Sequence, residues 1–204
     1  MIKINKNYEK VWLVDETISR GKKPTVTIFE YENATVKPSI DDPNADYCDI
    51  SSSRGTRPFC YRKSVFDNEK EALEYKEWLL LRAIEKKKQN IKEGITLIQE
   101  CLEECGVTNE NDVFVSLKYK DISFNDKKLI VSNKYGDTKM NIEDMTDENL
   151  LWELLLELRN VDFFVLSTDK TIHKKVRDKF LDCDMYNRID KVMNKFDGYH
   201  FWEA

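Results

Sequence analysis

Hydrophobic and polar residues change their spacing along this chain, and each change predicts an element. Residues 8 to 14 (YEKVWLV) and 24 to 31 (PTVTIFEY) are rich in β-branched and aromatic side chains. The second run alternates, with Val26, Ile28 and Glu30 on one side and Thr25, Thr27, Phe29 and Tyr31 on the other. Both read as strands, joined by a turn over Ser19-Arg20-Gly21-Lys22-Lys23-Pro24. Val36 either extends the second strand or begins a third. Residues 38 to 46 (PSIDDPNAD) are loop material. Tyr47 to Ile50 and Phe59 to Arg62 are short strand candidates around a link from Ser51 to Pro58.

From Asn68 to Cys105 the period changes to that of a helix, with no proline and a single glycine, Gly94. Asp67 or Asn68 suits the cap, and Glu69 and Glu71 suit the positive end of the helix dipole. Leu73, Leu80, Ile84, Ile91, Ile95, Ile98, Leu102 and Cys105 form one stripe close to a heptad seam. Position 88 of that seam is Lys88, inside a charged run, so the helix either bridges two bodies there or breaks. A seam this short favours a helix packed within its own chain over a coiled-coil homodimer. Gly106 is placed to end the helix in the left-handed conformation.

After Gly106 the pattern restarts. Val113 to Tyr119, Lys128 to Ser132 and Thr138 to Ile142 read as strands, the last two joined by a five-residue hairpin loop, Asn133 to Asp137. Thr146 is placed to cap a leucine-rich helix from Asp147 to Asn160. Val161 to Leu166 is a buried strand or an extended link. Thr168 or Asp169 caps a helix through Leu181, and Met185 to Phe196 forms a last one. The aromatic tail Gly198 to Trp202 is expected to dock on the body. The fold class is therefore α+β: a small antiparallel β module, a long central helix (68–105), then a β-hairpin-plus-helices module. The expected domains are 1–106 and 107–204.

Composition narrows the class. Of 204 residues, 41% are hydrophobic and 35% charged, the balance of a folded protein with a heavily solvated surface. No apolar run approaches the roughly 18 residues that cross a membrane, and the amino terminus has no secretory pattern. Five cysteines without framework spacing suit reduced thiols and a cytoplasmic setting. Residues 1 to 90 hold 17 basic and 15 acidic side chains, and the remainder 16 against 23. That asymmetry argues against a generally basic nucleic-acid binder and leaves an acidic second half.

Motifs for chemistry are sparse. There is no H-E-x-x-H, C-x-x-C, G-x-S-x-G or phosphate-binding glycine loop. His173 sits among lysines, and Cys101 and Cys105 continue the helix stripe, so no catalytic, cofactor or metal residue is assigned. Asp137-Thr138-Lys139 has a faint likeness to the acid-lysine sets of magnesium nucleases, without an acid on a neighbouring strand. The most distinctive stretch is Ser51 to Lys63. It offers Arg54, Arg57, Arg62 and Lys63 for phosphates, with Phe59 and Tyr61 for bases. Alternation would equally let Phe59 and Tyr61 face a core. In the second half, Glu143, Asp144, Asp147, Glu148 and Glu153, with Trp152, form an acidic patch fit to cover a basic groove on a protein, though helix-start acids also serve the dipole.

No motif ties the chain to a family. Its lysine-, asparagine- and isoleucine-rich character resembles small accessory proteins of phages or mobile elements of AT-rich bacteria. The order of strands, then Val65-Phe66-Asp67-Asn68-Glu69-Lys70-Glu71-Ala72-Leu73, then a charged helix is similar to uncharacterised phage proteins over the first 90 residues. The expected function is non-enzymatic: an interaction protein or inhibitor acting, without cofactor, on a larger host protein or nucleoprotein complex. It would be a monomer, or a homodimer through the 68–105 helix. The alternative is nucleic-acid binding through the Arg54–Lys63 patch.

Overall fold

A computed structural model describes residues 2–39, 46–107, 114–117, 120–125, 128–140, 148–166 and 169–197. The chain is α+β, with ten strands and four α-helices among these residues. It divides into two compact units, Met1–Ile18 with Pro24–Ile84, and Ser19–Lys23 with Glu85–Ala204. The division falls inside the long helix, between residues 84 and 85, rather than at its end near 106.

The first unit is built on an antiparallel sheet. Its strands are β1 (Lys6–Thr17), β2 (Thr25–Pro38), β3 (Tyr47–Ser52), β4 (Gly55–Tyr61) and β5 (Val65–Phe66), in the order β4-β3-β2-β1-β5. β2 runs unbroken through Val36, because Lys6 to Thr17 pair with it along its length. Each face has its own core. One carries Val11, Leu13, Ala34, Val36, Cys48, Ile50, Cys60 and Val65. Val14 and Val26, on the other, pack with Ala72 and Leu79 of the helix α1 (Glu69–Glu104). The first face is concave. Arg57 on β4 reaches Asp15 on β1 at 3.1 Å, although in a flat sheet the ladder would set Arg57 in line with Lys6, three strands across and more than about 30 Å from Asp15. The sheet must coil for the pair to form.

Asn68 caps α1, its Oδ1 accepting from the backbone N–H of Lys70 at 2.9 Å. The other end closes as expected at Gly106 (φ +83°), with Val107 N–H donating to the Leu102 carbonyl at 2.9 Å. The buried line in the first half of α1 runs one residue earlier than the stripe read from the sequence. Ala72, Leu79 and Ala83 are buried, while Leu73 is 51% exposed. Two alanines carry the contact where leucine and isoleucine were expected, because a helix lying flat on a sheet needs small residues at its closest approach. The line then passes through Lys87, which is fully buried, and the helix does not break there.

The second unit holds the other antiparallel sheet and three shorter helices. Its strands are β6 (Phe114–Leu117), β7 (Lys120–Asn125), β8 (Lys128–Asn133), β9 (Gly136–Lys139) and β10 (Phe163–Leu166), in the order β10-β6-β7-β8-β9. β7 went unread because KDISFN offers only two apolar positions. The expected five-residue loop is a two-residue turn, since Asn133 already pairs with Gly136. Of the expected strand or link over 161–166, Phe163–Leu166 form the edge strand β10, antiparallel to β6. The helices are α2 (Glu148–Arg159), α3 (Lys170–Leu181) and α4 (Cys183–Asp197). Asp169 caps α3 through its side chain. Thr146 and the tail from Gly198 lie outside the described residues. Gly94 has a packing role: a Cβ there would meet Leu151 Cδ2 of α2 at 2.8 Å, so the glycine admits α2 against α1.

Candidate functional site

The β3–β4 hairpin carries Arg54, Arg57, Phe59 and Tyr61 of the expected basic and aromatic patch, and Arg62 and Lys63 follow it in a single 3₁₀ turn (Arg62–Ser64). Ser52 pairs with Gly55, leaving Ser53-Arg54 as a two-residue turn, and two more regular pairs follow, down to Ile50 opposite Arg57. The register then slips by one residue, and Cys48 stands opposite Cys60. Pro58 and Phe59 form the slip. Proline has no N–H to give the ladder, and Phe59 takes a left-handed backbone (φ +55°) that disfavours bulky residues by about 1–2 kcal/mol. The Phe59 N–H, lost to the ladder, donates instead to Asp49 Oδ1 at 3.1 Å.

This bulge decides where the aromatics go. With a regular ladder Phe59 would oppose Cys48, which is fully buried in the concave core. As folded, Phe59 is 53% exposed and Cys60 takes the core position. Tyr61, at the end of β4, is half-buried against Tyr47: their rings lie 4.5 Å apart, and Tyr47 Oη donates to Tyr61 Oη at 2.7 Å. Burial first, then that hydrogen bond, raises the Tyr61 phenol above its ordinary value, so it stays a neutral, fixed wall. Arg54, Arg57 and Lys63 are exposed and Arg62 is half-buried. Lys63 Nζ sits 5.4 Å from the Tyr61 ring centre. Two acids stand within the patch: Asp15 pairs with Arg57 at 3.1 Å and offsets part of its charge, and Asp49 accepts from the Phe59 N–H. The patch is a strip, since β4 alone spans about 20 Å.

The acidic patch does not assemble as expected. Glu143, Asp144 and Asp147 lie outside the described residues. Glu148 is not a surface residue: it is fully buried, with Oε2 2.7 Å from Lys87 Nζ. The same oxygen accepts from the Gly21 N–H at 2.8 Å. Lys87 Nζ also donates to the carbonyls of Ser19 at 2.8 Å and Lys22 at 2.6 Å. A buried carboxylate needs this pairing, which removes Glu148 from any contact with a partner. Trp152 is half-buried, with the Arg20 guanidinium 3.9 Å from its ring centre. Glu153 alone of the described acids in the patch is exposed.

Asp137 on β9 stands opposite Ser132 on β8, which stands opposite Asp121 on β7, so another strand lies between the two acids. Among the described residues no group of three or more His, Cys, Asp or Glu is placed to share a metal ion, and no helix is long and apolar enough to cross a membrane. No family model, curated protein or solved structure matches this chain.

Proposed function

We propose that the protein is a binding module whose β3–β4 hairpin contacts single-stranded nucleic acid. The observation that supports this reading is Phe59, a large aromatic held half-exposed by a strained backbone on an edge strand, with Arg54 and Arg57 before it and Lys63 beyond. Strain retained at one exposed position is a pointer to use. Phe59 supplies a stacking face, the cations supply phosphate contacts, and the strip suits an extended chain.

The test is fluorescence anisotropy with short labelled single-stranded oligonucleotides over a salt series. Affinity is expected to fall as salt rises, because cations that neutralise phosphates release counterions. Phe59→Ala should weaken binding by about 1–3 kcal/mol, the usual range for one stacked base. Arg54→Ala with Lys63→Ala should reduce the salt slope. Salt-independent binding, or a Phe59→Ala variant that binds as tightly as the parent, would refute the reading.

A second reading, the interaction protein or inhibitor, draws on α1. Leu73, Trp78 and Leu81 are exposed along it, an apolar set suited to a protein partner. Capture of a stoichiometric protein that survives nuclease treatment, and is lost in Trp78→Ala with Leu81→Ser, would favour it.

A further inference from the structure

We propose that Cys48 and Cys60 form a reversible cross-strand thiol–disulfide clip at the edge of the first sheet, oxidised by low-molecular-weight disulfides of the glutathione class. The two face each other in the β3–β4 ladder, and both are free and buried. The Arg62 N–H donates to the Asp46 carbonyl at 2.7 Å, so that position is a hydrogen-bonded one. Two residues along, Cys48 and Cys60 occupy the next such site, where opposed Cα atoms sit about 5.5 Å apart. Disulfides span Cα separations of about 4.4–6.8 Å. Of the other thiols, Cys101 and Cys105 lie one turn apart along the end of α1 and hydrogen-bond to each other, and Cys183 is exposed.

The chemistry is a double exchange. The thiolate of one cysteine attacks the small disulfide, forming a mixed disulfide and releasing one thiol. The second cysteine, losing its proton, then displaces the other thiol and closes the Cys48–Cys60 bond. Two protein thiols and one disulfide give one protein disulfide and two small thiols.

Two features make the clip slow to form and easy to reverse. Burial pushes the Cys48 thiol up to about 11 and the Cys60 thiol up to about 12, and Cys60 Sγ donates to the Arg57 carbonyl at 3.4 Å. Exchange therefore waits on opening of β4, the outermost strand, whose first five residues are exposed. Opposed Cβ atoms in antiparallel pairs are about 4.5–5.5 Å apart, wider than the 3.5–4.5 Å of a relaxed disulfide, and strain of that kind makes the bond reducible. The register slip at Pro58-Phe59 is what brings Cys60 opposite Cys48, so the bond would fix the bulge. The clip does not depend on what the hairpin binds.

The test equilibrates the full chain in glutathione buffers of graded oxidised share at mildly alkaline pH, followed by acid quench, tryptic digestion without reductant and mass spectrometry. Cleavage after Arg54 separates the two cysteines, so the clip appears as two peptides linked through Cys48 and Cys60, lighter by two hydrogens. The linked species should grow with the oxidised share, vanish when reduced glutathione is restored, and be absent in Cys60→Ser. Thiols that stay free in the most oxidising buffer would overturn the proposal. So would Cys48 and Cys60 found only as separate glutathione adducts or bonded to other cysteines.

Discussion

Replacing Lys87 with methionine tests the energetics of the second unit most sharply. The ammonium has three protons, and the structure gives each a partner: the Ser19 carbonyl, the Lys22 carbonyl and Glu148. Methionine fills nearly the same volume, so packing loss is small and the change is chiefly electrostatic. Glu148 keeps the Gly21 N–H but loses the ammonium that offsets its buried charge. Removing one member of such a pair costs about 3–5 kcal/mol, a large part of the roughly 5–15 kcal/mol that holds a domain folded. With a urea m-value of about 2–3 kcal/mol/M, the midpoint should fall by about 1–2 M. Glu148→Met should lose a similar amount by stranding the ammonium. The double variant should be no less stable than either single one, because no buried charge is left uncompensated. Urea unfolding followed by circular dichroism measures all four proteins. A Lys87→Met loss below about 1 kcal/mol, or singles that add in the double variant, would refute the argument.

Two further outcomes follow from local geometry. Val161 closes α2 in a left-handed conformation (φ +56°), with Asp162 N–H donating to the Glu157 carbonyl at 2.9 Å. Glycine at that position relieves about 1–2 kcal/mol of strain against roughly 0.5–1 kcal/mol of added chain entropy, so Val161→Gly should raise stability slightly, and a lower thermal midpoint would contradict it. Glu104 bonds Lys179 at 2.5 Å, and that hydrogen bond, reinforced by charge attraction, holds its carboxyl below the ordinary glutamate value. A carboxyl lowered on folding adds stability above its unfolded value and loses it as pH falls through the folded one. Carbon-detected NMR titration should therefore find Glu104 titrating below ordinary glutamates and rising toward them in Lys179→Ala; an unchanged midpoint would count against the bond.

Much of the scaffold was legible because it rests on local rules. Alternation in PTVTIFEY gave a strand, Asn68 gave a helix start, Gly106 gave its end, and the leucine spacing after Glu148 gave α2. The α+β class follows from these alone. KDISFN escaped because its alternation is carried by two apolar residues, too few to stand out from loop.

What the sequence could not settle was every choice that needs a partner distant in the chain. Lys87 reads as a solvated charge in EKKKQN, and only Glu148, with two carbonyls near Gly21, makes it cheaper to bury than to expose. Glu148 looked like a surface acid for the same reason. Ala72 displaced Leu73 from the core because the sheet beneath sets how closely the helix approaches. In the hairpin a one-residue slip reverses what alternation implies: it turns Phe59 out and brings Cys60 opposite Cys48. Side chains in a strand alternate with a period of two, so a single inserted residue exchanges the faces of all that follow. The local sequence sets the period, and the tertiary structure sets its phase.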